Sequence, residues 1–225
     1  DTNLWSRSIE GSELEEPSYV PPEDIYEWTT APTAETLEIE VGFENGYPVS
    51  LNGEAMEPVE LTEELNELAG GYGVGRSDIM EDRMLGLKVR ENYEHPAATV
   101  LLNAHAALED LVLTKAERSF KKQIDNEWSE KGYEGLVNTP LVDALEAFIA
   151  ETQTRVTGSV TIRFEGGQAR PVGRSSEYAA YSAEAASFNT EDITGGIEQS
   201  DATGVAKYHG FQARLANRVI DDTDE

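Results

Sequence analysis

Residues 37–43 alternate apolar and polar side chains and lead into an Asn-Gly pair, and this short segment constrains the fold more than any other part of the sequence. Strict alternation is typical of a half-buried strand, and Asn45-Gly46 favours the tight turn of a β-hairpin. A second hairpin is predicted at 158–172, where an alternating segment is interrupted by Gly166-Gly167. We interpret the segment 76–92 as one or two further strands.

Helical spacing of apolar residues predicts helices between and after these hairpins. Leu61, Leu65 and Leu68 share one face of a short helix, and Gly70-Gly71 is typical of a helix end. Further helices are predicted at 97–113, 114–134, 140–154 and 202–219. Because hairpins and helices occur in separate runs, we predict an α+β fold in which antiparallel hairpins pack with long helices and a C-terminal helical arm follows.

The helix predicted at 140–154 begins with a recognisable start signal. Thr139 is a residue type that caps helix N-termini, and Pro140 suits the first helical position because no backbone donor is needed there. The apolar residues that we expect on its buried stripe are Leu141, Leu145, Phe148 and Ile149.

The first 36 residues are rich in proline and acidic residues. Proline disfavours regular structure because it lacks a backbone donor and restricts the residue before it. The prolines that interrupt this stretch are Pro17, Pro21, Pro22 and Pro32. We therefore interpret residues 1–36 as an irregular connector.

The chain of 225 residues contains 44 acidic and 17 basic residues, which gives a net charge of −27. A charge of this sign argues against nucleic acid and anionic membranes as direct partners, since both are negatively charged. The acidic residues are spread along the whole sequence rather than gathered in one tail. We interpret them as a halophilic surface, whose self-repulsion is screened by salt; a functional acidic face is the alternative.

Several classes of site and location are limited by what the sequence lacks. Cysteine is absent, so thiol nucleophiles, disulfides and thiolate metal sites are excluded, which fits a cytoplasmic protein. No run approaches the roughly 18 apolar residues of a membrane span. The sequence starts at Asp1 without an initiator methionine, and patterned sequence follows at once. We therefore expect a C-terminal fragment of a longer protein.

Two local patterns invite a ligand-binding interpretation. The glycine-rich segment 70–76 superficially resembles a phosphate loop, but it follows a predicted helix and leads into a predicted strand, the reverse of a dinucleotide loop. We interpret it as a helix end and turn.

His95, His105 and His209 lack the spacing of a zinc site, so we expect no metal, and we interpret His105 as a core or interface residue.

The segment 78–96 combines acidic and basic residues with a tyrosine around an apolar hairpin. From these residues alone, both a solvated face and a binding site remain open. The order and spacing of its residues, however, resemble the C-terminal domain of argininosuccinate synthases. The residues that carry this resemblance are Gly73-Val74-Gly75-Arg76, Asp78, Glu81, Arg83, Gly86, Lys88, Arg90, Tyr93, Glu94 and Pro96.

The resemblance extends in order along nearly the whole chain. It includes the N-terminal segment Asp1-Thr2-Asn3-Leu4-Trp5-Ser6-Arg7-Ser8-Ile9-Glu10. Later landmarks are Pro22-Glu23-Asp24-Ile25-Tyr26, Thr139-Pro140-Leu141, residues 152–158, Gly173-Arg174-Ser175-Ser176, Tyr178 with Tyr181, and Asp201-Ala202-Thr203-Gly204. An ordered set of landmarks is more specific than any single motif.

The resemblance implies an ATP-dependent ligase that joins citrulline to aspartate and releases AMP and pyrophosphate. In this family ATP with Mg²⁺, together with aspartate, is bound mainly by an N-terminal domain, whose phosphate loop has no counterpart in these 225 residues. The C-terminal domain contributes citrulline contacts and the surface of a homotetramer. We therefore expect this chain alone to be inactive.

The resemblance also implies domain boundaries and site residues. Residues 1–36 would be the end of the nucleotide-binding domain and a connector, 37–200 the synthetase and multimerisation domain, and 201–225 a C-terminal oligomerisation arm. Ser8, Glu81 and Tyr93 match the family's citrulline-contacting serine, glutamate and tyrosine. No catalytic, cofactor-binding or metal-binding residue is assigned. These three contacts would position the substrate rather than transfer protons.

The sequence departs from the family pattern at a few positions, and two other functions remain alternatives. Asp82 replaces the usual asparagine beside the glutamate and adds a negative charge next to Glu81, and Thr2 replaces a usual acidic residue. The first alternative is a non-catalytic binding or assembly module derived from the same domain. The second is an acidic mimic that occupies basic partners, for which the ordered landmarks would be coincidence.

Overall fold

The computed structural model describes residues 1–186, 192–193 and 197–221. These residues form two compact units, one of residues 1–180 and one of residues 181–225. The first unit contains two antiparallel sheets and four long helices, and the second contains short strands and helices. The α+β class predicted from the sequence is confirmed. The domain boundaries at 36/37 and 200/201 stay a prediction.

The predicted hairpins and helices occur in the predicted order. The strands are β1 (Arg7–Ile9), β2 (Leu37–Glu44), β3 (Tyr47–Leu51), β4 (Glu54–Ala55), β5 (Arg76–Asp82), β6 (Lys88–Glu94), β7 (Gly158–Glu165), β8 (Gln168–Ser175), β9 (Asp192–Ile193) and β10 (Ile197–Glu198). Of these, β1, β4, β9 and β10 are additional to the predicted strands. The helices are α1 (Pro58–Gly71), α2 (Pro96–Val112), α3 (Lys115–Tyr133), α4 (Pro140–Gln153), α5 (Ala183–Ala186), α6 (Gln199–Tyr208) and α7 (Phe211–Asp221). Among these described residues no helix is long and apolar enough to cross a membrane.

A five-stranded antiparallel sheet holds the main core. Its strand order is β4-β3-β2-β7-β8, so the two predicted hairpins lie side by side through the pairing of β2 with β7. Alternate residues of β2 and β7 are buried, for example Val41 and Ile162, and they pack in one cluster with Leu61 and Leu65 of α1 and Leu108 of α2. The alternation read from the sequence therefore marks the face that helices α1 and α2 cover.

A smaller sheet of order β1-β6-β5 carries the segment that contains most of the family landmarks. Contrary to the prediction, residues 1–36 are not irregular throughout, because Arg7–Ile9 form β1 of this sheet. The stretch that follows β1 packs on the sheet, where the buried side chain of Arg90 holds it. Arg90 donates hydrogen bonds to the carbonyl oxygens of Leu14, Glu16 and Tyr19 and pairs with Asp78. Because the guanidinium satisfies three carbonyls that water cannot reach easily, the irregular chain can lie against the sheet without orphaned acceptors.

α4 starts where the sequence predicts, since Thr139 is its N-cap residue and Pro140 its first helical residue. The Thr139 side chain, however, donates to the Leu136 carbonyl and makes no hydrogen bond to the helix N-terminus. α3 begins with a capping box formed by Thr114 and Glu117. The predicted buried stripe of α4 needs correction at Leu141, whose side chain is exposed because α4 turns Val142 and Leu145 toward the interior.

The glycine-rich segment is a helix end and turn, as predicted. α1 runs through Gly70 and Gly71, and Thr30 donates its backbone N–H to the Gly70 carbonyl. A Cβ at Gly70 would lie 2.1 Å from the carbonyl oxygen of Trp28. Gly75 has φ +101°, and a Cβ there would meet the backbone of Pro96 at 2.5 Å. These glycines are required by close backbone approach, and the space beside them is filled by protein.

The second unit ends in two helices rather than the single helix predicted at 202–219. α6 and α7 are separated at His209-Gly210, where Gly210 adopts φ +68°, a conformation that a continuing helix does not allow. Arg214 bridges the break by donating to the carbonyl oxygens of Lys207 and His209. On α7 the apolar residues Phe211, Leu215 and Val219 follow helical spacing and are exposed.

Candidate functional site

The three-stranded sheet places two of the predicted site residues directly opposite each other. Ser8 on β1 pairs in register with Tyr93 on β6, and Tyr93 pairs in turn with Ser77 on β5. Side chains of residues that face each other across antiparallel strands point to the same side of the sheet. Ser8, Tyr93 and Ser77 therefore form a row of hydroxyl groups on one face, which we call the hydroxyl face.

The third predicted residue reaches the same face from farther along β5. Tyr93 donates its hydroxyl to Oε1 of Glu81 at 2.5 Å, and the Glu81 side chain is 17% exposed. Burial raises the pKa of Tyr93, and the hydrogen bond to Glu81 raises it further. The hydroxyl is therefore a stable donor at neutral pH. The structure brings Ser8, Glu81 and Tyr93 onto one face, while their contact with citrulline stays a prediction.

Arg83 is the cation of the hydroxyl face. It follows β5 in the hairpin turn, and its Nη2 lies 3.6 Å from Oε2 of Glu81. The same nitrogen makes a closer hydrogen bond to Oε1 of Glu91 on β6. Desolvation lowers the pKa of Arg83, but the neighbouring carboxylates of Glu81 and Glu91 outweigh it and raise this pKa above its ordinary value. Tyr133 at the end of α3 also faces the Arg83 guanidinium. The single guanidinium of Arg83 therefore contacts two carboxylates.

Glu91 also lies on this face, and it is not among the site residues predicted from the sequence. It is 2% exposed, and its Oε2 has no hydrogen-bond partner within the described part of the chain. Burial raises its pKa to about 7, with a further contribution from the nearby Glu10 and a partial offset from Arg83. The sequence does contain a signal for this position, because alternate residues of a strand point to the same side of the sheet and Glu91 is two positions from Tyr93.

Asp82 does not lie beside Glu81 on the hydroxyl face, contrary to the concern raised from the sequence. It points to the opposite face, where its carboxylate accepts a hydrogen bond of 2.6 Å from Nζ of Lys88. The negative charge that accompanies Glu81 on its own face is that of Glu91. Adjacent positions in a strand point to opposite sides, so neighbours in sequence are separated by the sheet.

Glu94 fixes the sheet from behind. Its carboxylate is fully buried and accepts hydrogen bonds from the backbone N–H groups of Glu27, Trp28 and Thr29, the Thr29 hydroxyl and Arg7. Although burial opposes ionisation, these hydrogen bonds together lower the pKa of Glu94. Since Arg7 and Glu94 are the chain neighbours of Ser8 and Tyr93, this pair holds the hydroxyl row in place.

His95 and His105 make hydrogen bonds to neighbouring uncharged side chains. His95 contacts the hydroxyls of Ser77 and Thr99, each within hydrogen-bond distance, and His105 contacts Oε1 of Gln153 at 2.7 Å. His105 also packs against the ring of Phe43, and its side chain is 26% exposed, so it lies at the edge of the core. Over residues 1–186, 192–193 and 197–221, no group of three histidine or acidic side chains could hold a metal ion.

Among the described residues, the segment that most resembles a phosphate cradle for ATP with Mg²⁺ is the glycine-rich one, and it is packed against Trp28 and Pro96. The hydroxyl face instead presents hydroxyl donors beside two carboxylates and one guanidinium. Such a set suits a small polar ligand that carries an ammonium group, because a carboxylate can pair with the cation while hydroxyls bind neutral polar atoms.

Comparisons with known proteins agree with the resemblance. A family model described as "Arginosuccinate synthase C-terminal domain" matches residues 1–216. The chain is 87% identical over all of its 225 residues to an argininosuccinate synthase from Natronomonas pharaonis, and it covers 56% of that protein. It is 72% identical to the enzyme of Haloquadratum walsbyi and 57% identical to that of Methanococcoides burtonii, with 98% of the chain aligned and 56% and 55% of those proteins covered.

The chain therefore spans about half the length of the curated relatives that it matches. The first two organisms are halophilic archaea, in agreement with the acidic composition. Because the family model covers nearly the whole chain and the relatives are highly similar along it, the chain belongs to the argininosuccinate synthase family and corresponds to its C-terminal domain.

Proposed function

We propose that this chain is the citrulline-binding and assembly part of an argininosuccinate synthase. The complete enzyme would join citrulline and aspartate at the expense of ATP, in arginine biosynthesis in the cytoplasm, with release of AMP and pyrophosphate. The observation that carries this proposal is the convergence of Ser8, Glu81 and Tyr93 on one sheet face. These residues come from three strands and are separated by up to 85 positions, so their meeting is a property of the fold.

Each of the three side chains has a distinct role in the proposed site. The Glu81 carboxylate pairs with the α-ammonium group of citrulline. The hydroxyls of Ser8 and Tyr93 bind the polar ends of the substrate, and each neutral hydrogen bond contributes roughly 1 kcal/mol. Because Tyr93 also donates to Glu81, it orients the carboxylate that receives the ammonium group.

The chemistry of bond formation would take place against the N-terminal domain. That domain would hold ATP with Mg²⁺ and aspartate, and ATP would activate the ureido oxygen of citrulline for displacement by the aspartate amine. The side chains of the hydroxyl face would bind and orient citrulline and keep its ammonium end away from the reacting ureido group. They would take no proton in this reaction.

The direct test uses the full-length enzyme with citrulline, aspartate and ATP. Formation of argininosuccinate, AMP and pyrophosphate in equal amounts supports the function, and their absence refutes it. Glu81→Gln should raise the KM for citrulline at least tenfold and leave the KM for ATP near normal, because a charge-assisted contact is worth roughly 1.5–3 kcal/mol. Asp82→Asn is the matched control, since Asp82 lies on the other face of the same strand.

Assembly is the second part of the proposal, with a homotetramer as the expected state. The exposed apolar stripe of Phe211, Leu215 and Val219 on α7 supports a role for the C-terminal arm in contacts between subunits. Sedimentation of the full-length protein in high salt, with and without residues 210–225, tests this role. A monomer in both cases refutes the oligomer, and an unaltered tetramer without the arm refutes the arm's contribution alone.

A further inference from the structure

The hydroxyl face contains more carboxylates than the binding of a single ammonium group requires. Glu81 and Glu91 lie on the same side of the hairpin, and Arg83 is the cation that both of them face. Because Glu10 after β1 also faces Glu91, the carboxyl groups of this face outnumber its guanidinium. Which carboxylate Arg83 neutralises decides how strongly Glu81 can attract an ammonium group.

Arg83 lies closer to the carboxylate of Glu91 than to that of Glu81. Its Nη2 makes a hydrogen bond to Oε1 of Glu91, whereas its separation from Oε2 of Glu81 is 3.6 Å, beyond a good hydrogen bond. Glu91 is almost fully buried, and besides Arg83 its carboxylate faces the carboxyl groups of Glu10 and Glu81, which compete with it for the cation. An ionised carboxylate that is buried in this way binds a nearby guanidinium strongly, because water does not compete for the guanidinium.

Resting on the proposed function, we propose that Glu91 is a positioning residue of the citrulline site, which holds Arg83 away from Glu81 and so leaves the Glu81 carboxylate available to the α-ammonium group. Glu91 itself does not touch the substrate. If its charge is removed, Arg83 loses its closer partner and moves to Glu81, and citrulline must then displace a guanidinium in order to bind.

The same arrangement makes citrulline binding sensitive to pH. The groups that face Glu91 are Glu10 after β1, Glu81 from β5 and Arg83 from the turn, while Tyr93 lies beside it on β6 and Tyr133 from α3 faces Arg83. Because burial raises the pKa of Glu91 to about 7, protonation near neutral pH releases Arg83 toward Glu81. Affinity for citrulline should therefore fall as the pH is lowered.

The test uses steady-state kinetics of the full-length enzyme and its variants Glu91→Gln and Arg83→Gln/Glu91→Gln. Glu91→Gln should raise the KM for citrulline about tenfold, the loss of one charge-assisted contact, with kcat and the KM for ATP changed less than threefold. The double variant should recover at least fivefold of that loss, because no guanidinium remains to neutralise Glu81. A double variant no better than Glu91→Gln, or a Glu91→Gln enzyme with unchanged citrulline dependence, overturns the proposal.

The wild-type enzyme and Arg83→Gln provide a measurement that does not depend on the folding of the Glu91 variants. The KM for citrulline should rise at least threefold between pH 8 and pH 6 in the wild type and stay flat in Arg83→Gln. Parallel profiles in the two proteins overturn the proposal. The side chain of Arg83 is 37% exposed, so its replacement leaves the core intact.

Failure of the proposed function can be told apart from failure of this inference. A full-length wild-type enzyme that forms no argininosuccinate refutes the function. The role of Glu91 is then read from a crystal structure of Glu91→Gln without substrate, where Nη2 of Arg83 should approach Glu81 from 3.6 Å to within hydrogen-bond distance. An Arg83 that keeps its distance from Glu81 in that structure overturns the inference independently of any activity.

Discussion

Tyr93 donates its hydroxyl to Glu81 across the β5–β6 pair at 2.5 Å, although the two residues are not directly opposite in register. The long tyrosine side chain spans the diagonal and reaches the carboxylate beyond Ile79 and Glu91. This contact joins a hydroxyl row, set by strand register, to a charged group near the hairpin turn. It makes the orientation of Glu81 depend on the residue at position 93.

Tyr93→Phe should therefore weaken citrulline binding without removing it. The expected increase in the KM for citrulline is about fivefold, since a hydroxyl hydrogen bond contributes roughly 1 kcal/mol. Tyr47→Phe is the control, because Tyr47 is exposed on the other sheet. Kinetics of the full-length enzymes, measured at saturating ATP and aspartate, check the prediction. Equal citrulline dependence in the two variants would contradict it.

Gly70 and Gly71 are adjacent in α1 but should respond differently to replacement by alanine. At Gly70 the new Cβ would clash with the Trp28 carbonyl, whereas at Gly71 it meets nothing within 4 Å. Gly70→Ala should destabilise the fold by about 2 kcal/mol or more, as overpacked sites do. Gly71→Ala should be neutral or stabilising by up to about 1 kcal/mol, because alanine favours helix. Urea unfolding in constant salt measures both free energies.

Glu94 should contribute an acid-sensitive part of the stability. Its pKa is lowered in the folded protein, because the hydrogen bonds to its carboxylate outweigh the effect of burial. The stabilisation is therefore fully present above the unfolded value and is lost as the pH falls through the lower, folded one. Glu94→Gln should destabilise the fold at pH 7 by roughly 3 kcal/mol, because it leaves Arg7 without its buried partner. It should also reduce the slope of stability against pH below 4.5.

Glu38→Gln is the matched control for this prediction. Glu38 pairs with Arg163 at an exposed position, and such pairs contribute less than about 1 kcal/mol. Denaturant titrations at pH 7 and at lower pH compare the two variants. If both lose the same free energy of unfolding, Glu94 does not have the structural role assigned to it.

Salt should stabilise the fold over a wide range of concentration. The chain has a net charge of −27, and its self-repulsion is relieved as the Debye length shrinks to about 3 Å at 1 M salt. We expect the melting temperature to rise with potassium chloride up to molar concentrations. Sucrose at matched osmolality is the control for solvent exclusion. A melting temperature that falls steadily with salt would count against the halophilic interpretation.

Local patterns in the sequence determine where the main hairpins and helices form. The Asn45-Gly46 hairpin, the leucine face of α1 and the second hairpin at β7–β8 all form as predicted, because turn chemistry and side-chain period act over a few residues. The family was also recognisable, since its landmarks lie in order along the chain. The exceptions are the helix break at His209-Gly210 and the exposed side chain of Leu141.

Only the tertiary structure decided which of these elements meet. The pairing of β2 with β7 joins segments more than 100 residues apart, and no local pattern specifies such a partner. Ser8, Glu81 and Tyr93 could be named from the sequence, but their common face depends on the register of three strands. The burial of Glu91 and the unequal sharing of Arg83 depend on packing from several elements at once, because burial and charge are set by everything that surrounds a side chain.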